Sequence, residues 1–331
     1  VLDGAHAAIC IANAGATVGG LEVCGAGRTD ASFSGSSVRV NSGIASNIVV
    51  NGGAAWGSAV FVGPNALFTC GVITNLTRYS NKPCNPVTLS CGTLSDTVIA
   101  GCTYATGISV AEPPISTHSA ICRVTVANNT SLAGTSGLVA NYLVDVSDTD
   151  FVGNDSTAGG AVVSASGGAP YSPNLTMTNC RIVGNRIYNC SGAVTLGNYA
   201  HAAFTNVLIA DNEGVAGSQT AACRGLSVAG SSTSTYRNCT VAGNRTAHAV
   251  NAGVSVDTAS AAKTFSNCIF WGNCGTEGEG SSNFEVTGTG TAPSIKNCCW
   301  PEAARENGNT PDDPKLRTVK RYRYYPSPTG S

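Results

Sequence analysis

Asn179-Cys-Arg-Ile-Val-Gly-Asn185, Asn206-Val-Leu-Ile-Ala-Asp-Asn212, Asn238-Cys-Thr-Val-Ala-Gly-Asn244 and Asn267-Cys-Ile-Phe-Trp-Gly-Asn273 are four copies of one phrase, and Asn297-Cys-Cys-Trp begins a fifth. Their starts lie 27, 32, 29 and 30 residues apart. A nearly fixed period of this size marks a solenoid, in which each repeat is one coil. Slots two and four are apolar in every copy (Cys180 and Ile182, Val207 and Ile209, Cys239 and Val241, Cys268 and Phe270), whereas slot three is mixed. Residues two apart share one face of a strand, so slots two and four face the core. The slot-seven Asn (Asn185, Asn212, Asn244, Asn273) follows Gly or Asp and belongs at a turn. There its amide can bond the equivalent amide one coil away, as in stacked Asn ladders.

The phrase extends upstream in weaker form. Thr69 to Asn75 is an early version, Ser90 to Asp96 a poor copy, Arg123 to Asn129 a better one and Asp148 to Asn154 a good one. A Gly-led apolar element precedes the phrases: Gly137-Leu-Val, Gly159-Gly-Ala-Val-Val, Gly192-Ala-Val, Gly225-Leu-Ser-Val and Gly253-Val-Ser-Val. A third apolar point sits two residues before each phrase, at Leu67, Ile121, Val146, Met177, Phe204, Tyr236, Phe265 and Ile295. Three short strands per coil of about 30 residues specify an all-β, three-faced parallel β-helix. The helix is expected over residues 1–300, with a loop excursion over about 76–121, rich in Pro and Cys. An extended tail over 301–331 would then pack on its own or a neighbouring coil.

Composition excludes several roles. Lys+Arg number 18 and Asp+Glu 19, a net charge of −1, so no basic surface is available for nucleic acid or an anionic membrane. Charged residues are 11% of the chain, against roughly 25% in an average soluble domain. No run is long and apolar enough for a membrane span. Gly, at 40 of 331 residues, fits a backbone that turns several times per coil.

The chain has 15 Cys, a number that suits an oxidising, extracellular or cell-surface setting if many are bridged. Cys70, Cys180, Cys239, Cys268 and Cys298 fall in the inward slot, where thiols pack as small apolar groups. Cys10, Cys24, Cys84, Cys102, Cys190, Cys223 and Cys274 fall off it, at expected turns or loops, and are the disulfide candidates. An odd total leaves at least one thiol free or paired between chains. Asn75, Asn128, Asn129, Asn154, Asn174, Asn189, Asn238 and Asn244 stand in Asn-x-Ser/Thr sequons and are glycosylation candidates.

Gly159-Gly-Ala-Val162 and Phe151-Val-Gly-Asn154 resemble the GGA[I/V] and FxxN repeats of the polymorphic outer-membrane protein type, and Phe270-Trp-Gly-Asn273 matches the second pattern again. More broadly, the phrase is similar to the right-handed parallel β-helix repeats of secreted bacterial surface proteins. Val1-Leu-Asp-Gly-Ala5 resembles the first coil of those proteins, and Asp313-Pro-Lys-Leu316 with Tyr325-Pro-Ser-Pro328 the segment that closes them. The resemblance implies a right-handed β-helix. That fold carries polysaccharide lyases, adhesins and structural proteins alike, so it leaves function open. Unlike autotransporters, this chain shows no membrane β-barrel after its repeats.

Catalytic signatures are absent from the sequence. His6, His118, His201 and His248 are scattered, without nucleophile or HExxH spacing. The densest acids are Asp145, Asp148, Asp150 and Asp155, and Asp148 with Asp150 is the candidate Ca²⁺ pair. The leading expectation is a non-catalytic extracellular structural or surface protein that associates with itself through its solenoid ends into a filament or sheath. The alternatives are a carbohydrate-binding or polysaccharide-degrading β-helix protein and an adhesin passenger domain.

Overall fold

The computed structural model describes residues 9–24, 36–52, 54–55, 57–78, 84–111, 118–157, 159–167, 174–215, 223–246, 252–258, 262–275 and 283–316. The described residues hold strands and no helix, and every strand pairing is parallel and one coil apart. The protein is an all-β, right-handed parallel solenoid of about nine coils, each about 27 residues.

Each coil crosses three faces. The first is an eleven-stranded sheet running from Ile9–Ile11 to Phe284–Thr287 and containing the Gly-led elements, such as Gly192–Leu196 and Arg224–Val228. The second is a nineteen-stranded sheet with two strand columns per coil, for example Asn174–Thr178 followed by Arg181–Val183. The third is a sheet of six very short strands, from Thr103–Tyr104 to Arg245–Thr246. A two-stranded pairing of Ala54–Ala55 with Thr77–Arg78 precedes it.

A left-handed residue separates the two columns of the second face. Asn47, Cys70, Asp96, Arg123, Asp148, Asn179, Asn206, Asn238, Asn267 and Asn297 all have φ between 49° and 56°. Asn and Asp tolerate this region because the short polar side chain bonds locally, which explains the opening Asn of the phrase. After this corner, slots two and four point inward as the alternation requires: Cys180, Ile182, Val207, Ile209, Cys239, Val241, Cys268 and Phe270 are all buried. Met177, Phe204, Tyr236 and Phe265 line the neighbouring column from inside. Tyr236 stacks on Phe265 with centroids 4.5 Å apart and 8° between planes, and Phe204 meets Tyr236 edge-on at 5.4 Å.

The slot-seven Asn ladder is present and wholly internal. It runs Asn129, Asn154, Asn185, Asn212, Asn244, Asn273 and ends on Asn283. Each Nδ2 donates to the next Oδ1 at 2.9–3.0 Å and to a backbone carbonyl of the preceding coil, such as Ile182 O for Asn212. Each Oδ1 also accepts the backbone N–H of the Asn below, so the column satisfies the buried polar atoms at its turn.

The N-terminal phrases sit in a different register from the sequence pattern. Cys70, not Thr69, takes the left-handed corner, so Cys70 is exposed rather than inward. Gly71 then falls in slot two, and the ring of Phe68 fills the space its missing side chain leaves; a Cβ there would lie 2.2 Å from Phe68. Phe68, not Leu67, is consequently the inward residue of that strand. The next true copy is Asp96-Thr-Val-Ile-Ala-Gly-Cys102, in which Cys102 holds the ladder position. The stretch 76–121, expected as a loop excursion, therefore carries coil strands: Cys84–Leu89, Thr93–Ser95, Val98–Ala100, Thr103–Tyr104 and Ile108–Val110.

The GGA motif has a steric cause. Gly159 has φ +89°, and a Cβ on Gly160 would lie 2.0 Å from the Gly134 backbone, so two chain segments meet where only Gly fits. At the C-terminal end, residues 301–316 fold over the last coil. Asn297 N–H donates to Asn307 O, Thr310 N–H to Cys298 O, and Asn309, whose Oδ1 accepts the Cys298 N–H at 2.9 Å, continues the slot-two column past Cys298. The tail beyond 316, including Tyr325 to Pro328, lies outside the described residues, as do Val1 to Ala5.

Candidate functional site

The best-formed polar surface is the outer side of the first column of the second face, between His118 and Arg237. Alternation there sends Leu175, Met177, Ala202, Phe204, Ser234 and Tyr236 inward, and leaves Asn174, Thr176, His201, Ala203, Thr233 and Thr235 outward. Register then stacks like positions: Asn174, His201 and Thr233 in one outer row, and Ala120, Asp145, Thr176, Ala203 and Thr235 in the next. Adjacent coils are about 4.8 Å apart, so the patch spans roughly 20 Å along the solenoid.

Two features mark this face. His118 Nδ1 lies 3.1 Å from Asp145 Oδ2, and both side chains are about half exposed. On the next three coils after Asp145, a shallow depression of about 220 Å³ opens between Asn174, Thr176, His201, Ala203 and Thr233. Its volume is below the roughly 300–1,000 Å³ of pockets that enclose a drug-sized ligand. The geometry suits an extended ligand lying across the face. Sequence reading left His118 and His201 scattered, as surface or turn residues without a shared site. The signal it missed is positional: His118, Asn174, His201 and Thr233 each stand three residues before an inward point (Ile121, Met177, Phe204, Tyr236).

The candidate Ca²⁺ pair is not brought together as a site. Asp148 sits at a left-handed corner and accepts from Asn179 Nδ2 at 3.0 Å. Asp150 lies on the following strand, 3.4 Å from Arg181 Nη1. Burial raises the Asp150 pKa, and Arg181 partly opposes that. Among the described residues no group of three or more His, Cys, Asp and Glu side chains could hold a metal ion.

The remaining polar clusters brace the stack. Arg123 grips Asp96 one coil below with Nε to Oδ1 at 2.6 Å and Nη2 to Oδ2 at 2.8 Å. That contact holds the Asp96 pKa down at about 2. On the third face Asp155, Arg186, Glu213 and Arg245 fall in register on successive coils, an alternating column with contacts of 3.6 and 3.7 Å around Arg186. An exposed amide column, Asn179, Asn206, Asn238 and Asn267, runs along the corner at 3.0–3.2 Å.

The disulfide candidates are thiols in this structure, as are all the other cysteines among the described residues. Cys84, Cys102 and Cys223 are buried rather than in open loops, and burial pushes the Cys102 thiol up to about 12. Cys190 and Cys274 are partly exposed, and Cys10 and Cys24 exposed. Of the sequon residues, Asn129, Asn154 and Asn244 are buried ladder members whose amide nitrogens are already bonded, which takes them out of reach of a glycan in the folded chain. Asn75, Asn128, Asn174, Asn189 and Asn238 are exposed.

The family described as "Right handed beta helix region" matches residues 171–299. No curated protein matches the chain. Among solved structures it is similar to two Azotobacter vinelandii mannuronan C-5 epimerase A-modules. For the AlgE6 module the TM-score is 0.35 at 10% identity, covering 86% of this chain and 90% of that one. For the AlgE4 module it is 0.38 at 10% identity, covering 85% and 91%. The coils and the ladder give the chain the fold of a right-handed parallel β-helix, and the family match covers 171–299 of it.

Proposed function

We propose that this chain is a non-catalytic, glycan-binding β-helix protein of an extracellular or cell-surface setting, and that an extended polysaccharide lies across the outer face between His118 and Arg237. The observation that carries this reading is the row Asn174, His201 and Thr233 beside Asp145 and Thr176 on one rigid sheet face. Amide, hydroxyl and imidazole groups repeated at the coil spacing match a ligand that repeats hydroxyl groups along its length. Because the strands fix their positions, little ordering entropy is lost on binding. Hydrolytic catalysis would need a second carboxylate facing the first across the ligand, and among the described residues this face presents Asp145 paired with His118.

The GGA and FxxN motifs, which resemble polymorphic outer-membrane repeats, support the surface setting. The end-to-end filament draws no support at the C-terminal end, where residues 301–316 cover the last coil. The test is a screen against neutral and acidic polysaccharides with the intact chain and with His201→Ala, Asn174→Ala and Asp145→Ala. Binding should weaken about tenfold or more in the variants, the loss of roughly one or two hydrogen bonds. Binding unchanged in all three, or to no glycan at all, would remove this reading.

A further inference from the structure

Three inward thiols stack on consecutive coils at the C-terminal end. Cys239, Cys268 and Cys298 occupy slot two behind the left-handed residues Asn238, Asn267 and Asn297, and all are buried. Their strands are in register: Thr240 pairs with Ile269, and Ile269 with Cys299. The backbone repeats the same step, with Ile269 N–H donating to Cys239 O at 2.9 Å and Cys299 N–H to Cys268 O at 2.8 Å. Neighbouring strands of this kind are about 4.8 Å apart, inside the roughly 4.4–6.8 Å Cα window of a disulfide.

Cys268 sits between Cys239 and Cys298 in the slot-two column, and its backbone N–H donates to Cys298 Sγ at 3.3 Å. Its thiol therefore has a sulfur on either side. Cys180 occupies the same slot with the same burial, but its slot-two neighbours are Thr149 and Val207. It is therefore an internal control.

We propose that this column is a thiol-oxidation site, in which Cys268 forms a disulfide with Cys298 that staples the last coils of the solenoid. The oxidant is a small-molecule disulfide. Among the described residues the 301–316 segment covers Cys298, so local opening of that segment exposes it before Cys268 or Cys239. Its thiolate attacks the small disulfide, forming a mixed disulfide and releasing one small thiol. The Cys268 thiolate then attacks the Cys298 sulfur, forming the protein disulfide and releasing the second small thiol. Two protein thiols lose two protons and two electrons, and the oxidant gains both. Cys239, one coil inward in the same slot, is in line to attack the new bond at the Cys268 sulfur, releasing the Cys298 thiolate and moving the disulfide one coil inward.

The test is peptide mapping by mass spectrometry after the folded, full chain is incubated with oxidised glutathione and its free thiols are alkylated under denaturing conditions. The expected product is a cross-linked peptide containing Cys268 joined to Cys298 or Cys239, with a rise in melting temperature that dithiothreitol reverses. Cys298→Ser should slow oxidation at Cys268, and Cys180→Ser should change nothing. Mapping on the unsubstituted chain decides the matter even if a variant fails to fold. Recovery of Cys239, Cys268 and Cys298 fully alkylated, or a Cys268 cross-link that forms only in unfolded protein, would overturn the proposal.

Discussion

Replacing Asn212 by Ala should be among the most damaging single changes in this solenoid. Asn212 Nδ2 donates to Ile182 O and to Asn244 Oδ1, both at 2.9 Å. Its Oδ1 accepts from the Asn185 N–H at 3.1 Å and from Asn185 Nδ2 at 2.9 Å. The truncation strands the Asn185 N–H and one Asn185 amide hydrogen at a site 2% exposed, and takes one acceptor contact from the Ile182 carbonyl, which stays in its strand ladder. A buried polar group left without a partner costs about 1–3 kcal/mol. Two such groups give about 2 kcal/mol at the lower end, and about 5 is a fair ceiling once neighbours relax. The control is Asn206→Ala in the external ladder, where Asn206 Nδ2 donates to Asn179 Oδ1 at 3.0 Å. Water replaces that bond, so the remaining cost is an Ala at φ 56°, about 1 kcal/mol, and Asn206→Gly should be close to neutral. Guanidinium unfolding followed by circular dichroism measures the difference. Hydrogen exchange at Asn185 and Asn212 localises it, since a repeat array need not unfold in one step. If Asn212→Ala costs no more than Asn206→Ala, the internal ladder is not what holds that corner.

Further outcomes follow from individual contacts. The Tyr236 hydroxyl is buried beside Ser234 without a well-aligned hydrogen bond, so Tyr236→Phe should leave stability unchanged or raise it by up to about 1 kcal/mol in the same denaturation assay. Arg123 lowers the Asp96 pKa below its unfolded value. The contact therefore stabilises the fold above the ordinary carboxylate range and loses that effect as pH falls from about 4 to about 2. NMR titration of Asp96 in Arg123→Ala should show its pKa rising back toward 4, and an unmoved Asp96 would discount the ion pair. On the third face, Arg186→Glu sets three acids in a row with Asp155 and Glu213. A loss of about 0.5 kcal/mol that shrinks in high salt is expected, because all three side chains are substantially exposed. A salt-independent loss would point to packing instead.

The repeat itself determined the fold. Alternation in Cys180–Ile182 and its copies, with an Asn at each turn, specified parallel coils, inward slots and an amide ladder, because each rests on local period and on residue types that tolerate turns. Register and neighbourhood needed the tertiary structure. Gly71 hid the register of the Thr69 phrase because its slot is filled by Phe68 from the preceding strand. Cys102 hid the next copy because a thiol can occupy the ladder position where the backbone N–H still finds Asn129. Local sequence says only that a residue faces out, not which residues of other coils lie beside it. Stacking distant segments at the coil spacing is what joined His118 to Asp145, set Asn174 against His201, and aligned three thiols that sequence alone assigned only to packing.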